Sequence, residues 1–364
     1  MLGIGQLVLA IRYYFLSQAR KKGHQKYGGR PKDVCEHIID DCWTGVYYKS
    51  SIGNSNFDAR DFGMSVKSLL SMYHQKEVIS TLEYVLHRYS ENNKITLKIS
   101  PSGSCFTPFN NKSIDAVAWI LRALRIAEAG DLVKEHKQFL KKEVHRITKS
   151  VYSRDMKLIR PDAKIDKIRR NIITHSSCYD NCLFAMMAED ADFFNILPDE
   201  LKRVDFKKAI LETFWNGKYF KKDITDSRAF LSEANLAPFI TGLISGEGIL
   251  RKVMNGIKAR ELNLPSPVKP VSEVVLERQT QGWINFFTPD TSASIQSRLG
   301  LEYIKLLHKV DKYEAKEEMQ KIIKLLTKDG TLFEFYNPDN TPEKTWSWMS
   351  DEGMLYLANL ASLL

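Results

Sequence analysis

The sequence predicts an all-α fold, a toroid of six helical hairpins, with short β-hairpin excursions between outer and inner helices and an extra N-terminal helix. Three observations carry that prediction. Apolar residues recur at helical spacing along most of the chain, as in Phe62, Val66, Leu69, Leu70 and Tyr73, each set forming one face of an amphipathic helix. Short aromatic, β-rich segments interrupt the helices at roughly regular intervals, and two helical stretches fit between consecutive ones, the mark of a repeat. The chain then ends in an apolar stretch, Leu355 to Leu364, that has to bury against something. A ring closed against the helix at 31–42 buries it, whereas an open solenoid would need polar caps at both ends.

Taken in order, the elements begin with an amphipathic helix near 3–21 bearing Leu7, Ile11, Tyr14 and Phe15. A basic tract follows it, Arg20-Lys-Lys-Gly-His-Gln-Lys26 to Arg30-Pro-Lys32. Residues 1–30 are expected to form this appendage and 31–364 a single barrel domain. Helices are expected near 31–42, 76–89, 131–149, 176–190, 203–214, 232–245, 246–260, 291–308 and 312–328. Further stripes run from Phe62, through Ile114, Val117, Leu121 and Leu124, and through Met349, Gly353, Tyr356, Leu360 and Leu363. The excursions are 43–48, 93–99, 152–159, 215–220, 282–287 and 329–336, with Asn216-Gly217 and Asp329-Gly330 as tight-turn signals. In a ring, the start of every inner helix points to one mouth.

Composition narrows the function classes. The 364 residues are 43% hydrophobic and 27% charged, which excludes disordered and low-complexity classes and permits a large core. No apolar run reaches membrane-spanning length, and Leu2 to Leu16 is broken by Gln6 and Arg12. Five cysteines are an odd, sparse set that fits a reduced, cytoplasmic thiol inventory. The net charge of +9 is unevenly placed: residues 1–50 hold +4, 131–170 hold +7, the remainder −2, and 331–364 are −4. The basic excess is therefore expected on the appendage and an outer helix, away from an acidic mouth. Segment 2–32 has the makings of a peripheral membrane contact, although a helix packed outside the ring and a solvated loop is the plainer expectation.

Polar residues open the inferred inner helices: Asp58-Ala-Arg60-Asp61, Ser113-Ile-Asp115, His175-Ser-Ser-Cys-Tyr179-Asp180, Ser232-Glu233-Ala-Asn235 and Asp290-Thr-Ser292. Glu334-Phe-Tyr336-Asn337 stands before the last. On these residues the chain resembles the six-hairpin (α/α)6-barrel glycosidases, the superfamily of glucoamylases, trehalases, neutral invertases and processing α-glucosidases. Arg60-Asp61 resembles the pair that these enzymes use to hold the non-reducing sugar. Ile114-Asp115-Ala-Val-Ala-Trp119 is similar to the segment bearing their catalytic acid, with Ala116-Val117 departing from the usual Ser-Gly. Leu332-Phe-Glu334-Phe-Tyr336-Asn337-Pro338, with Trp346-Ser347-Trp348, resembles the segment bearing the base.

The resemblance implies an inverting, exo-acting glycoside hydrolase, α-glucosidase-like, with Asp115 as acid and Glu334 as base, a carbohydrate substrate, no cofactor or metal and no nucleic-acid partner. Substrate contacts are expected from Arg60, Asp61, Trp119, His175, Tyr179, Asp180, Glu233, Asn235, Tyr336, Trp346 and Trp348. Independently, inverting hydrolysis needs two carboxyl groups about 6.5–9.5 Å apart, one protonated and one ionised. A carboxyl in a helix's first turn is favoured as the anion, which works against Asp115 as an acid unless burial or a second carboxylate intervenes.

Plain structural roles compete with each assignment. Asp58 and Asp61 have capping-box spacing, Asp115 suits any helix N-terminus, and Glu334 alternates with Phe333 and Phe335 like the wet face of a strand. His175 suits a structural role, and Cys178 with Cys182 lacks the further ligands a metal needs. Two other functions fit the same pattern: an inactive toroid binding carbohydrate or a partner, and an α-solenoid binding nucleic acid through the basic patches.

Overall fold

The computed structural model describes residues 24–107, 114–163, 175–225, 229–271, 294–343 and 351–364, so the expected helix at 3–21 and excursion at 282–287 lie outside the described residues. Outer helix α1 (Pro31–Cys42) buries Val34, Cys35, Ile38, Ile39 and Cys42 at helical spacing. Inner α2 (Ala59–Ser71) follows, then outer α3 (Gln75–Glu91) and inner α4 (Ile114–Ile126). The stretch expected at 131–149 is two helices, α5 (Gly130–Glu135) and outer α6 (Lys137–Val151), joined at His136. Inner α7 (Cys178–Phe193), outer α8 (Phe206–Phe214), inner α9 (Ser232–Ile240) and outer α10 (Glu247–Lys258) follow, then inner α11 (Ser297–Leu307) and outer α12 (Lys312–Asp329).

The inner helices form a closed ring. α2 packs on α4, α4 on α7, α7 on α9, and α9 on α11. α11 then packs on the terminal α13 (Ala358–Ala361), and α13 on α2. As expected, the apolar C-terminus closes the ring against α1, where Leu355, Leu357 and Leu360 are fully buried. A polar knot ties the seam: Ser68 Oγ donates to Asn359 Oδ1 (2.7 Å), and Asn359 Nδ2 donates to Glu302 Oε1 (3.1 Å). With each buried polar group partnered, such a network fixes one register of three helices.

The final stripe is where sequence and structure differ most. The spacing from Met349 onward suits a long helix, yet only a 3-10 turn (Leu355–Leu357) and α13 are helical after residue 350. The backbone of 351–354 is committed elsewhere. Glu334 N donates to Asp351 O, Gly353 N to Leu332 O, and Ile52 N to Gly353 O, with Gly353 in the left-handed region at φ 61. Asp329-Gly330 also differs: Gly330 (φ 64) is the left-handed cap of α12, not a hairpin turn.

The described excursions lie between the end of an outer helix and the start of the next inner one. Trp43 bridges Tyr48 and Trp215 bridges Phe220, the latter around Gly217 at φ 92. β4 (Tyr152–Ser153) pairs with β5 (Leu158–Ile159). β1 (Phe57–Asp58), β2 (Lys98–Ile99) and β3 (Cys105–Phe106) form one antiparallel sheet, and β6 (Ile295–Gln296) pairs with β7 (Phe335–Tyr336). Buried asparagines in the first turns of two inner helices pin two of these segments. Asn181 Oδ1 accepts from Ile159 N (2.9 Å), and Asn235 Oδ1 accepts from Phe220 N (2.8 Å).

Candidate active site

Each inner helix enters the mouth with its first turn. Asp58 caps α2, its Oδ1 accepting from the backbone N–H of Arg60 (3.0 Å) and Asp61 (3.2 Å), which leaves the Arg60 and Asp61 side chains for the mouth. The cap thus comes from Asp58, while Asp61 interacts with Arg298 across the ring. Arg60 reaches α4: its Nε and Nη2 stand 2.7 and 2.6 Å from Asp115 Oδ2, both side chains largely buried. Lys98 on β2 stands 3.2 Å from Asp58 Oδ2. Although burial pushes the Asp58 carboxyl up, Lys98, Arg60 and the helix N–H hold it below the usual range.

Glu334 is gripped by backbone on both sides. Its N–H donates to Asp351 O (2.8 Å), and its carbonyl accepts from Ser297 N (3.0 Å) at the first residue of α11. Its carboxyl is pushed up to about 8, first by burial and then by Asp351 and Asp61, with Arg298 and Lys98 opposing. Asp61 is raised to about 6 by burial and by Asp58. Carboxylates crowded together and partly buried resist a further negative charge. Tyr356 completes the group. Burial, Glu334 and Asp61 raise its phenol far above its usual range, and its hydroxyl meets no partner among the described residues.

A narrow cavity of about 10 Å3, room for one water, is lined by Met64, Trp119, Tyr179, Leu183, Glu233, Ala237, Ile240, Thr241, Arg298 and Leu299. Met64, Trp119, Leu183 and Ala237 each lie four residues after Arg60, Asp115, Tyr179 and Glu233. One helical turn separates such pairs, so the four polar residues stand on the axial stripe above the lining. The helix openings therefore converge as the ring requires, bringing together Arg60, Asp61, Asp115, Trp119, Tyr179, Glu233 and Glu334.

The remaining expected contacts stand as follows. Asn235 is fully buried, and its amide is spent on Phe220 N, Phe220 O and Leu231 O, so it positions the 215–220 excursion. Tyr336 is buried in β7, its hydroxyl accepting from Phe333 N at 3.2 Å. His175 is exposed, and its backbone N–H donates to Asp223 Oδ2. Asp180 lies in the first turn of α7, where Ser177 caps the helix and donates its hydroxyl to Asp180 Oδ2 at 2.6 Å. Trp346 and Trp348 lie outside the described residues.

The role expected of Asp115 meets a difficulty here. A guanidinium placed on Oδ2 by two short contacts favours the charged carboxylate, and an acid has to bring a proton. Arg298, Lys98, Asp351 and Tyr356 did not stand out in the sequence. Arg298 sits in an ordinary amphipathic stripe, and Lys98 alternates with apolar residues as a solvent-facing strand residue would.

No family model and no curated protein matches the chain. Among solved structures it is similar to a rhamnosidase from Klebsiella oxytoca with rhamnose bound (TM-score 0.64, 10% identity), covering 92% of this chain and 62% of that enzyme. It is also similar to a GH63 mannosylglycerate hydrolase from Thermus thermophilus in complex with Tris and D-glycerate (TM-score 0.58, 9% identity, 91% and 99% covered). A third match is a glycosidase in complex with glucose (TM-score 0.63, 11% identity, 100% and 98% covered). The chain's fold is an (α/α)6 barrel, as its ring of six inner helices and these similarities show.

Proposed function

We propose that the protein is an inverting, exo-acting glycoside hydrolase that releases a terminal sugar from a small glycoside, α-glucosidase-like in substrate class, with Glu334 as the base. The observation that carries this reading is the acidic mouth of a closed ring, in which a backbone-gripped Glu334 faces Asp61 and Arg298. Five free cysteines suit a reduced, cytoplasmic setting.

The acid has to face the base across the sugar. Glu334 interacts with groups on inner helices one (Asp61) and five (Arg298) and on the 3-10 turn that leads into the sixth (Tyr356), so the opposite member of the ring is the third, α7, with Asp180 in its first turn. We assign the acid to Asp180 in place of Asp115, and pair Asp115 with Arg60 as a sugar-orienting unit. In this scheme Asp180 protonates the leaving oxygen while ionised Glu334 takes a proton from the water attacking the opposite face.

Leaving-group dependence tests the assignment. Asp180→Asn should lose about 10²–10⁴-fold on an alkyl glycoside yet keep most activity on a dinitrophenyl glycoside, whose leaving group needs no proton. Asp115→Asn should lose on both, and equal losses for Asp180→Asn would remove it from the acid's role. One observation favours a second reading with the roles exchanged: Glu334 holds its proton up to about pH 8. The pH profile separates the two. A base must be ionised, so kcat/KM rises as pH climbs through about 8, whereas an acid at this position makes it fall there.

A further inference from the structure

Residues 24–27, just ahead of α1, join that helix to the segment that carries Glu334. His24 Nε2 donates to Asp329 O at 2.8 Å, since a carbonyl only accepts and so fixes the proton on Nε2. The His24 ring meets Phe333 edge-on, centroids 5.0 Å apart, and Tyr27 N donates to Gly330 O at 2.8 Å. The same residues hold α1. Gln25 Nε2 donates to Asp41 Oδ2 at 3.2 Å, the Tyr27 hydroxyl donates to the same oxygen, and the Tyr27 ring stacks on His37. Gly330 is fitted to this strap as well as to its own φ: a Cβ there would stand 3.0 Å from Lys26 Cβ and 3.1 Å from Lys26 Cα, closer than ordinary contact.

The last carbonyls of a helix have no partner inside it. At the end of α12 the strap supplies partners for two, those of Asp329 and its cap Gly330. Phe333 carries the constraint forward. Its ring meets Tyr336 as well as His24, its N–H donates to the Tyr336 hydroxyl, and its carbonyl accepts from Ser297 Oγ at 2.6 Å. That carbonyl belongs to the peptide that joins Phe333 to Glu334. A reacting carboxyl has to be held within about 0.5 Å of its productive place by the groups that support it. For Glu334 that support comes from α11 and Asp351 on its own peptide groups, and from the strap on the residues just before it.

We propose that the strap of residues 24–27 holds Glu334 in its working position, and that His24 is a positioning residue for it, acting through the end of α12 and Phe333. The inference rests on the reading of Glu334 as a catalytic carboxylate. Two measurements on the intact protein keep the two apart. Steady-state kinetics on a glycoside that the wild type hydrolyses report the position of the carboxyl. Hydrogen exchange of the backbone over 329–336 reports the hold of the strap and needs no turnover.

His24→Ala should lower kcat about ten- to hundredfold, the scale of a misplacement of about 1 Å, while KM stays within about twofold because sugar binding is untouched. Exchange over 329–336 should quicken about tenfold, as expected of a locally loosened segment. His24→Gln, whose amide reaches the same carbonyl, should restore most of kcat and the slow exchange. A packing role alone would lower the melting temperature and leave kcat per folded molecule as it was. Wild-type kcat in folded His24→Ala, or a loss that His24→Gln does not restore, would overturn the proposal. If the wild type hydrolyses no glycoside, the hydrolase reading falls and exchange decides the rest. Unchanged exchange in His24→Ala then removes the strap's hold as well, and quickened exchange leaves it standing.

Discussion

Replacing Glu334 by glutamine is expected to abolish hydrolysis and, at alkaline pH, to stabilise the fold. The first effect follows from the role. A glutamine cannot take the water's proton, and general-base assistance contributes about 10²–10⁴-fold. The second follows from linkage. Glu334 keeps its proton to about pH 8 in the folded protein, against an ordinary value of 4.5. Between those values the folded state holds a proton that the unfolded state has released. Its contribution is fully present below about pH 4.5 and is lost as pH rises through 8. Wild type should therefore lose stability across that window while Glu334→Gln does not. The gap above pH 8 should be roughly 2 kcal/mol, less than the whole shift implies because the carboxyl keeps a wet rim. Urea melts at pH 5 and pH 9 measure it. A glutamine variant that is inactive and equally destabilised at both pH values would mean that Glu334 acts as a structural link.

Much of the ring was legible because its helices bury one face each, and burial on a cylinder writes a 3.6-residue period into the sequence. The α1 boundaries follow from Pro31 at the start and the aromatic excursion after Cys42. Closure was legible from the apolar tail at Leu355–Leu364, which has no other place to go. The long terminal helix was misread because periodicity records which side chains are buried and not what the backbone pairs with. Met354 and Tyr356 are buried, as a helical stripe would have them, but residues 351–354 spend their backbone groups on 50–52 and 332–334.

The site was legible by position and less so by role. Helix openings carry polar residues that the helix interior has no use for, which is why Arg60, Asp61, Asp115 and Glu233 stood out and do converge. Asn235 shows the limit of that signal. It opens a helix too, yet faces sideways to hold Phe220, as Asn181 holds Ile159. Proton preferences were hidden because they depend on groups far apart in sequence. Asp115 is held by Arg60, 55 residues away, and Glu334 is raised in part by Asp61 and lowered by Arg298. Arg298 itself had no signal, since a buried arginine and a solvated one occupy the same kind of position in a helical pattern.

Gly63→Ala is expected to destabilise the ring where two of its inner helices cross. An alanine in a helix interior is ordinarily favoured over glycine by about 1 kcal/mol. Here a Cβ would stand 2.6 Å from Trp119 Cβ and 2.9 Å from Trp119 O, where α2 and α4 cross. Backbone cannot yield as a side-chain tip does, so the helices must part, at a cost of about 1–3 kcal/mol for overpacking. One turn above the crossing, the Arg60–Asp115 contacts at 2.6 and 2.7 Å would lengthen, and a charged hydrogen bond is worth about 1.5–3 kcal/mol. These losses exceed the propensity gain, and a net destabilisation of roughly 2–3 kcal/mol is expected. Gly248→Ala in α10 is the control, since nothing lies within 4 Å of its Cβ position, and it should be neutral or stabilising by up to about 1 kcal/mol. Activity separates the two consequences of the clash. If Gly63→Ala melts early but its folded fraction turns over glycosides at the wild-type rate, the α2–α4 crossing supports the ring without setting the site, and the sugar-orienting role given to Arg60 and Asp115 fails with it.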